Sequence, residues 1–413
     1  MGHAICFKCI EDHYLKEMVE REEESRECSL CGTANNSAIT VVKLGEVLEP
    51  VMREHFSIGE EMRRCDEDDN DWWEQDGEPM SYVIQTVMGQ YFEFEDEIIS
   101  AVIDAEGVCP QDGEEGMWDS TFNYVEKDVE VGRYYSEWEY TLEELKHSRR
   151  FFSPSANDLF NGLFKGVESL RVYGGKKERS VVRTFKAGLE LYRARVCNTY
   201  SMLVNIYDDP FRHVGPPPKE MARAGRMNAE GVTVLYGARE EETCLAEMRP
   251  ALNNDLAIIA LKTVAPLRLL DFSRLERAYA VGGLSYFQPD FNEEVEKGAF
   301  LRRLHRLISQ PIIPGRESDY LITQTMSEYL AYVHRPRFDG ILFSSAQRAN
   351  GTNVVLFASS DDVASSMDNR FKVEYTEESV RVFTTKSIEY THSEVRIYLD
   401  GEGRPQKSVD WDE

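Results

Sequence analysis

Two closely spaced cysteine pairs, Cys6-Phe7-Lys8-Cys9 and Cys28-Ser29-Leu30-Cys31-Gly32, constrain the start of this chain more than any other feature. A CxxC turn aims two thiols at one point, and two such turns complete a closed tetrahedral S4 shell. Gly32 permits tight backbone after the last ligand, and a helical stretch from roughly Asp12 to Glu24 joins the pairs. A disulfide framework is the other use for eight cysteines, but such frameworks belong to small secreted chains. The opening MGHAICFKCIEDHY has neither a basic n-region nor a clean apolar run. The reading is therefore structural Zn2+ held by Cys6, Cys9, Cys28 and Cys31. His3 and His13 lie nearby as substitute ligands, but four thiolates already close the shell and leave no position for a substrate.

Charge divides the sequence in two. Residues 1–150 hold 38 Asp and Glu against 13 Lys and Arg, whereas residues 151–413 hold 36 against 34, so nearly all of the net −27 belongs to the front. Such a field repels a phosphate backbone, and no nucleic-acid partner is expected there. It serves solubility or an acidic docking surface. No apolar run approaches the roughly 20 residues of a membrane helix, and the reading is a cytoplasmic chain without a membrane partner.

With a prior of about 150 residues per domain, 413 residues suggest two or three units. The apolar spacing predicts helices over Val41 to Glu61, Met80 to Met88, Phe92 to Ile103, Ser136 to Leu145 and Phe151 to Val172. Between them the acidic run Asp66 to Asp71 approximates a calcium loop, but Asp71 stands where the loop glycine belongs and Gly77 replaces the closing glutamate; a solvated loop is the reading. Gly174-Gly175-Lys176-Lys177 marks a boundary. Beyond it, Val232 to Tyr236, Leu256 to Leu261, Gly340 to Phe343 and Val354 to Phe357 read as strands, and Glu241 to Ala251 and Tyr320 to Val333 as helices. The alternating tail from Phe371 to Leu399 reads as a C-terminal β-hairpin or meander. The fold class is α+β: an acidic, mainly helical zinc-clipped domain over 1–175, an α+β domain over 180–400 with its core at 187–360, and a tail over 401–413.

Four stretches of the second domain concentrate polar groups at strand ends and in glycine-bounded turns, where side chains face a cleft. They are Leu191-Tyr192-Arg193-Ala194, Gly225-Arg226-Met227-Asn228-Ala229-Glu230-Gly231, Tyr236 with Glu247, and Asp339-Gly340-Ile341-Leu342-Phe343-Ser344-Ser345. Singly, each member has a plain alternative: a surface ion pair for Arg226, a core position for Tyr236, a solvated helix face for Glu247. Their order and spacing carry the argument. Two arginines and one glutamate suit a dianionic substrate that develops positive charge.

In this order and spacing the second domain resembles the RES family, named for its Arg, Glu and Ser. Gly225-Arg226-Met227-Asn228 with Gly231 meets the family's GR-x-N-x-x-G, followed by the strand ending in Tyr236 and the helix carrying Glu247. Asp339, Gly340, Phe343 and Ser345, with Asn353 to Phe357, meet its later DG-x-x-[YF]-x-S and N-V-V-L-F. The resemblance covers roughly 187 to 360. It implies an ADP-ribosyltransferase-like fold and NAD+ as substrate, cleaved by a toxin or antiviral effector. By the same resemblance Arg193 and Arg226 would hold the pyrophosphate, with Asn228 in the NAD+ site, and Tyr236 would stack on nicotinamide. Glu247 would stabilise the cationic ribose, and Ser345 would fix Glu247 or the ribose. Nicotinamide leaves as a neutral molecule, so one carboxylate suffices without a general acid.

The long stretch between Arg193 and Arg226, with Pro216-Pro217-Pro218, departs from the compact family pattern, as does the insertion Ser273 to Ser318. The front domain resembles the zinc-containing regions, named after HEPN proteins, that are fused to some RES domains. It has no R-x4–6-H on a helix, so no RNase activity is expected. Expected partners are NAD+, an inhibitory antitoxin or trigger protein at the acidic domain or the 273–318 insertion, and a second copy in a homo-oligomer. Besides NAD+ hydrolysis, the same residues suit ADP-ribosyl transfer or phosphorolysis, and a silent nucleotide-binding adaptor is the non-enzymatic alternative.

Overall fold

The computed structural model describes residues 2–21, 26–35, 37–65, 71–108, 116–174, 177–279, 283–309, 317–358, 370–388, 397–399 and 404–407. The acidic run at 66–70 thus lies outside the described residues. The chain divides into two compact units, Met1–Val181 with Arg274–Leu307, and Val182–Ser273 with Ile308–Glu413. Most of the expected insertion at 273–318 therefore belongs to the first unit. No helix among the described residues is long and apolar enough to cross a membrane.

In the first unit, the strand Ala4–Cys6 pairs with Ala38–Thr40, bringing the two ends of the cysteine segment together. The helix between the cysteine pairs spans His13–Glu20, started by the Asp12 carboxylate, which accepts from the Leu15 N–H at 2.9 Å. Thr40 caps the next helix, Val41–His55, in the same way. Its face of Leu44, Leu48 and Met52 is fully buried, and a Cβ on Gly45 would meet the Ala101 carbonyl at 2.4 Å, so glycine permits the helix Glu95–Ala105 to pack closely. The expected continuation to Glu61 fails. At Phe56 the backbone turns extended, and Phe56–Ile58 pairs with Asn123–Glu126. Likewise the expected helix from Phe151 to Val172 is shorter, Pro154–Phe164, because Gly166 adopts φ +76° and Arg171–Gly174 forms a strand. Its Phe160 packs with Trp138, which meets Phe300 of the helix Phe291–Ser309 at 5.7 Å between ring centroids.

The second unit is built on a nine-stranded sheet. In chain order its strands are β1 (Val182–Phe185), β2 (Glu190–Val196), β3 (Val234–Ala238), β4 (Asp255–Thr263), β5 (Leu267–Asp271), β6 (Gly340–Ser344), β7 (Thr352–Phe357), β8 (Val373–Tyr375) and β9 (Arg381–Thr384). They lie in the order β1-β5-β6-β7-β3-β2-β4-β8, with β9 also on β4. Only β5 and β6 run parallel. One face buries Leu191, Leu235, Ile259, Leu269, Leu342 and Leu356, and the other buries Ala194, Ala238 and Ile258; a strand covered on both faces, such as β4, reads as a near-continuous apolar run. β8 and β9 do not pair with each other as a hairpin; they follow one another along β4, with Leu261 opposite Tyr375 and Ile258 opposite Arg381. The terminal hairpin lies later, between Ile397–Leu399 and Pro405–Lys407.

Two helices of this unit matter for the site, α1 (Glu241–Glu247) and α2 (Leu321–Glu328). α1 stops short of the expected Ala251 because Arg249 takes φ +46° directly before Pro250, where a helix cannot continue. After α2 the chain runs on as a π-helical turn, Tyr329–Val333.

Candidate active site

The turn at 225–231 is set by its own side chains. Asn228 is 5% exposed, and its Nδ2 reaches the carbonyls of Arg223, Ala229 and Val232 at 2.8–3.1 Å. Its Oδ1 accepts from the Tyr236 hydroxyl at 3.0 Å, and that hydroxyl accepts from the Met227 N–H at 2.8 Å. A Cβ at Gly225 would lie 2.7 Å from the Tyr236 Oη, so the motif glycine leaves room for the tyrosine. α2 grips the turn from outside, Thr323 donating to the Arg226 carbonyl at 2.6 Å and Gln324 to the Gly225 carbonyl at 2.8 Å.

This turn projects Arg226 into a cleft of about 1700 Å³ whose walls also include Arg193, Asn228, Tyr236, Glu247 and Asn353. Arg226 donates through Nη1 to the Ile308 carbonyl at 2.8 Å. Burial lowers its pKa from the ordinary value, opposed by Tyr320, Glu247 and Tyr236. Arg193, projecting from β2, donates through Nε to the carbonyls of Val214 and Gly215 and through Nη1 to that of Tyr236. Burial brings it down to about 10, still well above neutrality, so it stays a cation.

Five arginines line the cleft, Arg193, Arg195, Arg212, Arg223 and Arg226, against the carboxylates Asp209, Glu247 and Glu374. On a chain of net charge −27, that local excess of cations favours an anionic ligand. Cys244 also lines the cleft, but burial pushes its thiol up to about 12, so it is no thiolate nucleophile at neutral pH.

Glu247 ends α1. Its Oε1 accepts from the Ser345 hydroxyl at 2.6 Å and from Asn353 Nδ2 at 2.7 Å, while Oε2 has no hydrogen-bond partner among the described residues. Ser345 stands behind the carboxylate rather than on the cleft wall. The DG dipeptide that precedes it serves the sheet. Asp339 accepts from the Arg268 N–H and from Lys372 Nζ, and a Cβ on Gly340 would meet the Val355 carbonyl at 2.2 Å.

The structure thus brings Arg193, Arg226, Asn228, Tyr236 and Glu247 to one cleft, with Ser345 on Glu247. Two placements qualify the roles the resemblance implies. Asn228 uses its amide within the turn and Tyr236 uses its hydroxyl there, leaving the tyrosine ring for a ligand. Sequence reasoning named Asn353 only as the first residue of the N-V-V-L-F match and gave it no role; its contact with Glu247 depends on a pairing between distant segments.

At the other end of the chain, the Sγ atoms of Cys6, Cys9, Cys28 and Cys31 all lie within 4.8 Å of one another. Cys6 stands 3.7 Å from Cys9 and 3.8 Å from Cys31. A tetrahedral shell with bonds of about 2.3 Å has edges of about 3.8 Å, so the four thiols fit one metal ion.

Residues 190–376 match the family model described as the RES domain, extending past the expected core to β8. No curated protein and no solved structure matches the chain.

Proposed function

Residues 190–376 are a RES domain, and from that premise we propose that the chain is an NAD+ glycohydrolase, releasing nicotinamide and ADP-ribose, which acts as a NAD+-depleting toxin or antiviral effector. The observation that carries the proposal is Glu247: a carboxylate with one oxygen held by Ser345 and Asn353, lining a cleft rich in arginine.

In this reading the pyrophosphate lies against the cleft arginines. Arg226 and the Nη2 edge of Arg193 are the inner contacts, guanidinium being suited to phosphate oxygens. The Tyr236 ring faces nicotinamide. As the ribose C1′–N bond breaks, its electron pair returns to the pyridine nitrogen and neutral nicotinamide departs. Glu247 stabilises the oxocarbenium-like ribose through its negative charge. Water then bonds to C1′, and its proton passes to Glu247 and on to solvent. The four thiols of the first unit hold one Zn2+ as a structural ion, which clips the acidic unit that docks an antitoxin or trigger protein.

The test is to incubate the purified full chain with NAD+, without and with phosphate, and to separate the products. Nicotinamide with free ADP-ribose supports hydrolysis. Phosphorylated ADP-ribose would replace water by phosphate as acceptor, label on a macromolecule would make the chain a transferase, and intact NAD+ would leave a nucleotide-binding adaptor.

A further inference from the structure

Asn353, one residue into β7, is 7% exposed, and the sheet fixes its backbone between Phe343 of β6 and Ala238 of β3. We propose that Asn353 is a positioning residue that, together with Ser345, selects which oxygen of Glu247 meets the substrate. The inference rests on the reading of Glu247 as the carboxylate beside the nicotinamide ribose.

Ser345 Oγ accepts from the backbone N–H groups of Gln347 and Arg348, both at 3.1 Å. A hydroxyl has two lone pairs and one proton, so with both lone pairs engaged its proton is directed at Glu247 Oε1. An ionised carboxylate only accepts, which turns the NH2 side of the Asn353 amide to the same oxygen. Oε1 therefore meets two obligatory donors and has no room for a proton of its own. A proton taken from the attacking water goes to Oε2. The terminal torsion of a glutamate is soft; one donor leaves the carboxylate plane free to swing, whereas a second donor from a different strand fixes it. Among the described residues, Arg226 and, from its own helix, Cys244 feel the charge of Glu247.

The discriminating variant is Asn353→Asp. Two carboxyls at hydrogen-bond separation resist joint ionisation. When the introduced carboxyl keeps its proton it donates to Glu247 as the amide did, and when it loses the proton it repels. The kcat of Asn353→Asp is expected to rise about tenfold or more relative to wild type as pH falls from about 8 to 5, with KM for NAD+ within a few-fold of wild type. Asn353→Ala is expected to lose about 10- to 100-fold in kcat without such acid recovery. A profile of Asn353→Asp parallel to wild type, or an effect confined to KM, overturns the proposal.

Failure of the underlying reading looks different, since wild type would then leave NAD+ intact. The clamp is still tested by melting temperature. The carboxyl pair binds a proton more tightly folded than unfolded, so its stability is present at low pH and lost as pH rises. The melting deficit of Asn353→Asp against wild type is expected to widen from about pH 5 to 8, and a constant deficit overturns the clamp. If that variant does not fold, Asn353→Ser, which keeps a shorter donor, should retain more kcat than Asn353→Ala; equal loss is the contradicting result.

Discussion

The Tyr236 hydroxyl donates to Asn228 Oδ1 at 3.0 Å and accepts from the Met227 N–H at 2.8 Å, so one phenol joins strand β3 to both sides of the turn that carries Arg226. Burial raises that phenol to about 12, and it remains protonated, and a donor, throughout the neutral range.

Tyr236→Phe removes both bonds and leaves the Met227 N–H and Asn228 Oδ1 unpaired, an expected loss of about 1–3 kcal/mol. The pH dependence has a definite sign. The folded-state pKa lies above the ordinary tyrosine value of about 10, so the stability Tyr236 supplies is complete below about pH 10 and lost as pH rises through about 12. Melting curves of wild type and Tyr236→Phe should be furthest apart near neutrality and converge toward pH 12. A gap independent of pH contradicts this role.

Gly351 closes the loop behind the carboxylate. A Cβ there would lie 2.5 Å from Thr243 Oγ1 and 3.1 Å from Ser345 Cβ, and Ser345 cannot retreat without leaving Glu247. Gly351→Ala is therefore expected to cost about 1–3 kcal/mol and to lower kcat about tenfold or more through displaced Ser345. Denaturant midpoints and steady-state kinetics measure the two effects; full activity in the variant contradicts the coupling.

The cysteine cluster predicts about one equivalent of metal, zinc by its all-thiolate ligand set. Cys28, 1% exposed, is the ligand to remove. Elemental analysis of Cys28→Ser should show the metal lost, with proteolysis newly admitted within the first forty or so residues because ligation there is also folding energy. Wild-type protein that is fully folded and metal-free contradicts the assignment.

The legible parts of this chain were those governed by local rules. The helices that start at His13 and Val41 and the helix Met80–Met88 follow from short-range pattern, and the order of Arg193, Arg226, Tyr236, Glu247 and Ser345 signalled one site. Elsewhere tertiary pairing overrode periodicity. The helix starting at Val41 stops at His55 because Phe56 joins a strand, and β8 and β9 choose β4 over each other. The carbonyls that receive Arg193 and the amide that reaches Glu247 come from segments distant in sequence, so a linear motif names the side chains without showing which of their atoms remain for a ligand.

The most direct test of the account is the turnover of NAD+ by Glu247→Gln beside wild type, with melting temperature as the control for folding. In the proposed mechanism the neutral amide removes the charge that stabilises the cationic ribose, and its NH2 group, excluded from the two-donor side, turns toward the cleft. Nicotinamide release by wild type is expected, with a fall of about 10²- to 10³-fold or more in kcat for the variant and its melting temperature nearly unchanged. Equal turnover by a folded Glu247→Gln protein would contradict this.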